Sequence, residues 1–180
     1  MGDISLNTNQ YLTFRLGQEH FALEISRVRE VLDYIHITRV PRTPDFMLGV
    51  INLRGNVVPV IDLHLNLGME PEDRTVNTCI VIVEIDLGHE LLQLGALADS
   101  VEEVVEIDSD KISPPPRLGI RLNTEFIKGM GKRNDDFVII LDMDKVLTAE
   151  EIEEVEIAAS VVPTDLLEKG SGGAESENSV

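Results

Sequence analysis

The stretch FMLGVINLRGNVVPVIDLHLNL, residues 46–67, returns eighty positions later as FIKGMGKRNDDFVIILDMDKVL, residues 126–147. The two align over 22 positions without a gap, and five are identical: Phe46/Phe126, Gly49/Gly129, Val58/Val138, Asp62/Asp142 and Leu67/Leu147. Ordinary composition gives roughly one or two such identities by chance. A second match, ALEISRVREV (22–31) against GALADSVEEV (95–104), runs at an offset of 73. A chain that carries one supersecondary unit twice predicts two similar subdomains packed together, about 10–69 and 78–148. What differs between the copies is where function is to be sought.

Outward from that repeat, the period-two alternation of apolar residues predicts strands. Leu12, Phe14 and Leu16 turn at Gly17-Gln18-Glu19 into Phe21, Leu23 and Ile25, a hairpin over 11–25, and Val28–Tyr34 follows as a third strand. Thr43-Pro44 followed by Gly49 reads as cap, N1 proline and C′ glycine of a short helix. Ile51–Leu53 and Val57–Leu63 make a second hairpin around Arg54-Gly55-Asn56, with Pro59 marking an edge or a bulge. GMEPEDRTVN, 68–77, is the join between units. The second unit repeats the plan with strands at Thr78–Ile85, Glu90–Ala98, Val101–Ile107 and Phe137–Met143, a proline-stiffened loop at 108–118, and a short helix from Asn123-Thr124-Glu125 to Gly129. Thr148 and Glu151 form a capping box for a last helix over 149–160, and residues 161–180 read as a disordered polar tail. Five short strands per unit close most readily as a barrel, which leaves no long exposed edge, and two barrels side by side leave a groove for a partner.

Composition narrows the function classes. The formal charge is −18, a field that repels nucleic acid and anionic membrane. The chain has one cysteine, Cys79, no apolar run long enough to span a bilayer and no signal-peptide pattern, so a soluble cytoplasmic protein is expected. His20, His36, His64 and His89 show no ligand spacing and read as surface or strand histidines. Cys79 lies in a Val/Ile-rich strand, the setting of an inert core thiol. Asp108-Ser109-Asp110 and Asp142-Met143-Asp144 lack the glycine and glutamate of a calcium loop and read as solvated charge runs. No nucleophile elbow, phosphate loop or dinucleotide fingerprint occurs. No catalytic residue, metal site or cofactor is therefore expected; a small acidic hydrolase or metal-binding protein is the distant alternative.

Binding features are better supported. Arg54 sits on a tight turn held by two apolar strands, in a chain with a large acidic excess. A guanidinium on a rigid turn suits forked recognition of a partner's carboxylate or amide. The second unit has Lys132-Arg133-Asn134-Asp135 at the matching place, so the turn is rebuilt there with other chemistry.

The run Gly49-Val50-Ile51-Asn52-Leu53-Arg54-Gly55-Asn56-Val57-Val58-Pro59-Val60-Ile61-Asp62-Leu63 resembles the signature stretch of the CheW family of chemotaxis coupling proteins. Tyr11–Gly17, Asp99–Val104, Ile112–Pro116 and Phe126–Gly129 resemble that family in order and spacing, so the likeness covers roughly residues 10–150. It implies a mainly β fold of two pseudo-repeated five-stranded SH3-like barrels with short helices. It also implies a non-enzymatic adaptor, monomeric when free, between the cytoplasmic tip of a chemoreceptor and the regulatory domain of the histidine kinase CheA. A paralogous adaptor of another chemosensory pathway, in surface motility or second-messenger control, is the nearer alternative. Carried over by position, receptor contact falls to Val28, Glu30, Gly49, Arg54, Val101 and Gly129. Kinase contact falls to Ile37, Thr38, Arg39 and Val40 at one end, and to Ser113, Pro114, Pro115, Pro116, Arg117 and Leu118 at the other. Recruitment from the cytoplasm to membrane-associated receptor arrays follows from the same likeness.

Overall fold

The computed structural model describes residues 9–115, 125–133 and 135–162. Ten strands run in order β1 (Gln10–Leu16), β2 (Glu19–Glu24), β3 (Val28–Asp33), β4 (Met47–Leu53), β5 (Asn56–Asp62), β6 (Cys79–Asp86), β7 (Leu91–Ala98), β8 (Ser100–Glu106), β9 (Ile127–Arg133) and β10 (Asp136–Leu141). One turn of helix, α1 (Leu63–Asn66), follows β5, and α2 (Ala149–Ser160) closes the described chain. The strands form two five-stranded sheets, β3-β6-β7-β5-β4 and β8-β1-β2-β10-β9. The fold is mainly β with two SH3-like barrels, as the repeat predicts.

The two sheet orders become identical when each strand of one unit is exchanged for its counterpart in the other. Each unit gives its first hairpin away. β1 and β2 complete the sheet of β8, β9 and β10, while β6 and β7 complete the sheet of β3, β4 and β5. The join at 68–77 separates the repeats 10–69 and 78–148 in sequence, while each sheet takes strands from both. An exchanged hairpin meets its new sheet along a parallel seam, β10 with β2 and β5 with β7.

Three apolar clusters follow. Ile37, Ile51, Val58, Val60, Ile80, Ile82 and Leu97 fill one barrel; Tyr11, Ala22, Ile107, Val138 and Ile140 fill the other. The largest lies between them, where alternate residues of the exchanged hairpins (Leu12, Phe14, Leu16, Phe21 and Leu23 against Val81, Val83, Ile85, Leu94 and Ala96) meet Ile61, Leu63, Leu141 and Val155 of α2. A strand with one face in a barrel and the other against the neighbouring barrel is apolar on both, which is why CIVIVEID in β6 shows no polar alternation.

The repeat identities have physical reasons. Asp62 and Asp142 each donate their amide to the carbonyl of Phe46 or Phe126, both at 2.8 Å. Each aspartate side chain also caps the next turn, accepting from the His64 amide at 2.9 Å and the Asp144 amide at 3.1 Å. Gly49 and Gly129 lie within strands, so neither expected short helix forms; Met47 and Ile127 already begin β4 and β9. At both sites a neighbouring segment crosses the strand, Thr38 exchanging two 2.8 Å hydrogen bonds with Val50 and Ser113 exchanging two with Met130. A Cβ on Gly49 would stand 2.1 Å from the Thr38 carbonyl oxygen, and one on Gly129 would stand 2.5 Å from Ile112. Close approach, not helix capping, requires glycine there. Pro59 lies in an inner strand, beside the irregularity between Met47 and Gly49 and just before the β7 ladder begins at Val60. Thr148 and Glu151 make the expected capping box, and α2 buries Val155 and Ala158.

Candidate functional site

The β4–β5 turn consists of Arg54 and Gly55, with φ of 53° and 86°. Two left-handed residues between paired strands are the requirement of a two-residue hairpin whose twist matches the sheet. Arginine tolerates that region poorly, and here the turn is held by the Gly55 amide donating to Asn52 Oδ1 at 2.7 Å. The Arg54 side chain is 70% exposed, yet it is aimed: Nη2 donates to Glu30 Oε1 at 2.8 Å and Oε2 at 3.1 Å from β3. An exposed pair of this kind adds at most about 1 kcal/mol to stability. Its effect is to present one guanidinium at a fixed place with most of its donors unused.

Val28 on β3 and Val101 on β8 occupy equivalent positions of the 73-residue repeat and pack, half-buried, at the margins of the shared core. Gly49 and Gly129 are buried, so they shape the backbone under the site and present nothing at its surface. Among the six expected receptor residues, the structure thus brings Glu30 and Arg54 into contact, leaves Val28 and Val101 beside the same core, and places both glycines beneath the crossing segments.

A counterpart of the Arg54 pair was not read from the sequence. Glu103 is the repeat equivalent of Glu30, and it accepts from Arg133 Nη2 at 2.7 Å, while Arg133 Nη1 donates to Glu102 at 3.1 Å. Glu102 also meets His20 Nδ1 at 3.1 Å. Burial acts to raise the Glu102 carboxyl, and the hydrogen bonds from His20 and Arg133 outweigh it and hold it below the usual carboxylate value. The second turn thus keeps an arginine–glutamate pair but folds it inward, with the Arg133 side chain only 24% exposed. The signal was available in the 73-residue offset, which sets Glu30 against Glu103.

The two expected kinase ends are also one element in two copies. Ile37-Thr38 and Ile112-Ser113 are the segments that cross β4 and β9. Ile37 and Val40 are buried, Thr38 is half-buried and Arg39 is exposed, so only the middle of that segment offers side chains outward. Ser113 and Pro114 are exposed and Pro115 is half-buried; Pro116, Arg117 and Leu118 lie outside the described residues.

Two clusters depart from their sequence reading. His64 is 1% exposed, with Nδ1 2.8 Å from Asp62 Oδ1 and Nε2 3.0 Å from Asp99 Oδ2, not at a surface. The bond to Asp62 is the main influence; burial opposes it, Asp99 reinforces it, and the imidazole pKa rises to about 9. Asp142 and Asp144 are not a solvated run either: Asp144 takes both Arg27 Nη1 at 2.9 Å and Nη2 at 2.5 Å. Burial pushes the Asp144 carboxyl up, and Arg27 with the Asp86 amide overcomes that and leaves it below the ordinary value. Cys79 is buried, and burial raises its thiol pKa, as expected of an unreactive core residue. Among the described residues no group of three His, Cys, Asp or Glu side chains is placed to hold a metal ion.

A family profile described as CheW-like domain matches residues 10–151. The chain belongs to the CheW family. It is 33% identical over 150 residues to the chemotaxis protein CheW of Klebsiella aerogenes, covering 83% of this chain and 88% of that one. It is 36% identical over 138 residues to the chemotaxis protein CheW of Helicobacter pylori, covering 77% and 81% respectively. The crystal structure of the scaffolding protein TtCheW from Thermoanaerobacter tengcongensis superposes with a TM-score of 0.72 at 35% identity, covering 80% of this chain and 90% of that one. The CheW resemblance read from residues 49–63 is therefore correct, and the chain is a member of a chemotaxis scaffold family.

Proposed function

We propose that this CheW-family chain is an adaptor without catalytic activity, working in the cytoplasm at membrane-associated receptor arrays. It couples the tip of a chemoreceptor helical bundle to the regulatory domain of the kinase CheA. The observation that carries the reading is Arg54: a cation on a strained two-residue turn, steadied from one side by Glu30, in a chain of net charge −18. A charged rim beside apolar anchors fits a helical partner, the anchors giving affinity and the charge setting register. Val28 and Val101 are the anchors nearest the shared core, and the paired crossing segments with Arg39 and Pro114 give the kinase two ends to grip. Among the described residues no helix is long and apolar enough to cross a membrane, which agrees with recruitment through other proteins.

The test is binding of purified full chain to a receptor tip and to a CheA regulatory domain. Arg54→Glu keeps the turn backbone but reverses its charge. It is expected to weaken receptor binding about tenfold or more, equivalent to about 1.4 kcal/mol, while kinase binding and melting temperature stay as in the parent. Equal receptor affinity in parent and variant would remove Arg54 from the site.

A further inference from the structure

The two exchanged hairpins end in turns that are tied down at equivalent places with opposite wiring. At the β1–β2 turn, the Gly17 amide donates to Asp99 Oδ2 at 2.6 Å, and the same oxygen lies 3.0 Å from His64 Nε2. Asp99 in turn donates its amide to the Arg15 carbonyl at 3.0 Å. At the β6–β7 turn, the Asp86 amide donates to Asp144 Oδ1 at 2.9 Å, and Arg27 bridges Asp144 to the Glu84 carbonyl, the latter bond being 3.1 Å. Gly17 and Asp86 each follow their carbonyl partner by two residues, and Asp144 stands at the repeat position of His64. Arg27 is next to Ser26, the repeat counterpart of Asp99. So one latch has its cation after β5 and its anion before β8, and the other has its anion after β10 and its cation before β3.

We propose that these clusters are latches that hold each exchanged hairpin on the opposite barrel, and that only the His64 latch is gated by a proton. Carboxylate oxygens face both ring nitrogens of His64, and only the imidazolium has two N–H donors to meet them. Loss of one proton turns a nitrogen lone pair of the buried ring toward a carboxylate, and that contact becomes repulsive. The guanidinium of Arg27 keeps its proton throughout the range in which proteins fold. The charged groups around the gate are Asp62 at the end of β5, Asp99 between β7 and β8, and Arg15 of β1, whose Nη2 donates to the Gly17 carbonyl at 3.0 Å. From the 68–77 segment, Glu72 Oε2 comes within 3.7 Å of where a Cβ on Gly17 would stand. The rise of the imidazole pKa to about 9 agrees with this geometry.

The deciding experiment is amide hydrogen exchange with ring-nitrogen NMR on the full chain between pH 7 and pH 10. At pH 7 both His64 ring nitrogens are expected in the protonated form. Above its pKa, the opening equilibrium at the β1–β2 turn, corrected for intrinsic exchange, rises by up to about tenfold per pH unit, while the β6–β7 turn keeps its protection. His64→Gln abolishes that difference in pH response, and Asp99→Asn loosens the β1–β2 turn at every pH. A neutral His64 tautomer at pH 7 overturns the proposal, as does an equal response of the two turns. If His64→Gln does not fold, the ring-nitrogen spectrum of the parent chain still decides.

Discussion

At Gly49 a single missing methyl holds two segments together. The Thr38 carbonyl sits where a Cβ would be, and the residue's φ is 147°. Gly49→Ala therefore must push apart a pair of 2.8 Å backbone hydrogen bonds, at an expected cost of about 3 kcal/mol in urea unfolding. Gly129→Ala meets the Ile112 Cγ2 methyl, fixed by its β-branch, and the Ser113 carbonyl oxygen at 3.0 Å, and should cost about 2 kcal/mol, within the range of overpacking effects. The sequence paired the two glycines but assigned them to helix ends, because cap, proline and glycine satisfy a turn before a strand as readily as a helix. His64 reads from the sequence as a surface or strand histidine, since nothing in DLHLN reveals that Asp99 will arrive from another strand junction. His64 sets a pH dependence whose sign is fixed. Its folded pKa, about 9, lies above the value near 6.5 of an unfolded chain. Its stabilising contribution is thus fully present below about pH 6.5 and is lost as pH rises through about 9. Chemical denaturation should show stability falling by an amount on the order of 3 kcal/mol between pH 6.5 and pH 10, with most of that slope missing in His64→Gln.

Among the elements, α2 was the most legible, because its start is written in local residues. The Thr148 hydroxyl accepts from the Glu151 amide at 3.1 Å, and Glu151 Oε1 accepts from the Thr148 amide at 2.9 Å. Thr148→Ala is expected to cost about 1 kcal/mol, read as a lowered denaturation midpoint with unchanged slope. The hairpins were legible for the same reason, since alternation and turn residues are neighbours in sequence. The Arg54-Gly55 turn was found from its flanking strands, but its partner Glu30 came only through the family likeness. The Arg133–Glu103 pair was missed because the second turn, rich in Lys, Asn and Asp, shares no residue pattern with the first. Pairings between elements were the weak point throughout: the sequence repeats whole units, and nothing local states which unit a hairpin will join.

For the molecule as a whole, the exchange decides how it holds together. The shared core is built from hairpins of both units, so neither half contains a complete sheet. Residues 1–72 and 73–180 produced as separate chains are each expected to lack cooperative melting by circular dichroism. Mixed at equal concentration, they should recover the intact spectrum. A folded, cooperatively melting 1–72 fragment would show that the first unit closes on itself. Composition and repeat sufficed for two small barrels with a groove between them, and the family likeness supplied the adaptor, yet the crossover between the twins is a property of packing, because a parallel seam such as β5 with β7 leaves no turn signature in sequence.

Because each barrel borrows two strands from the far half of the chain, the sheets under the crossing segments at Thr38 and Ser113 are joined by a shared apolar core and by the chain passing between them at β2–β3 and again at β7–β8, not by a single tether. Such a body would act as a stiff spacer, so that neighbours fastened to the two crossing segments would be held at one separation and one tilt.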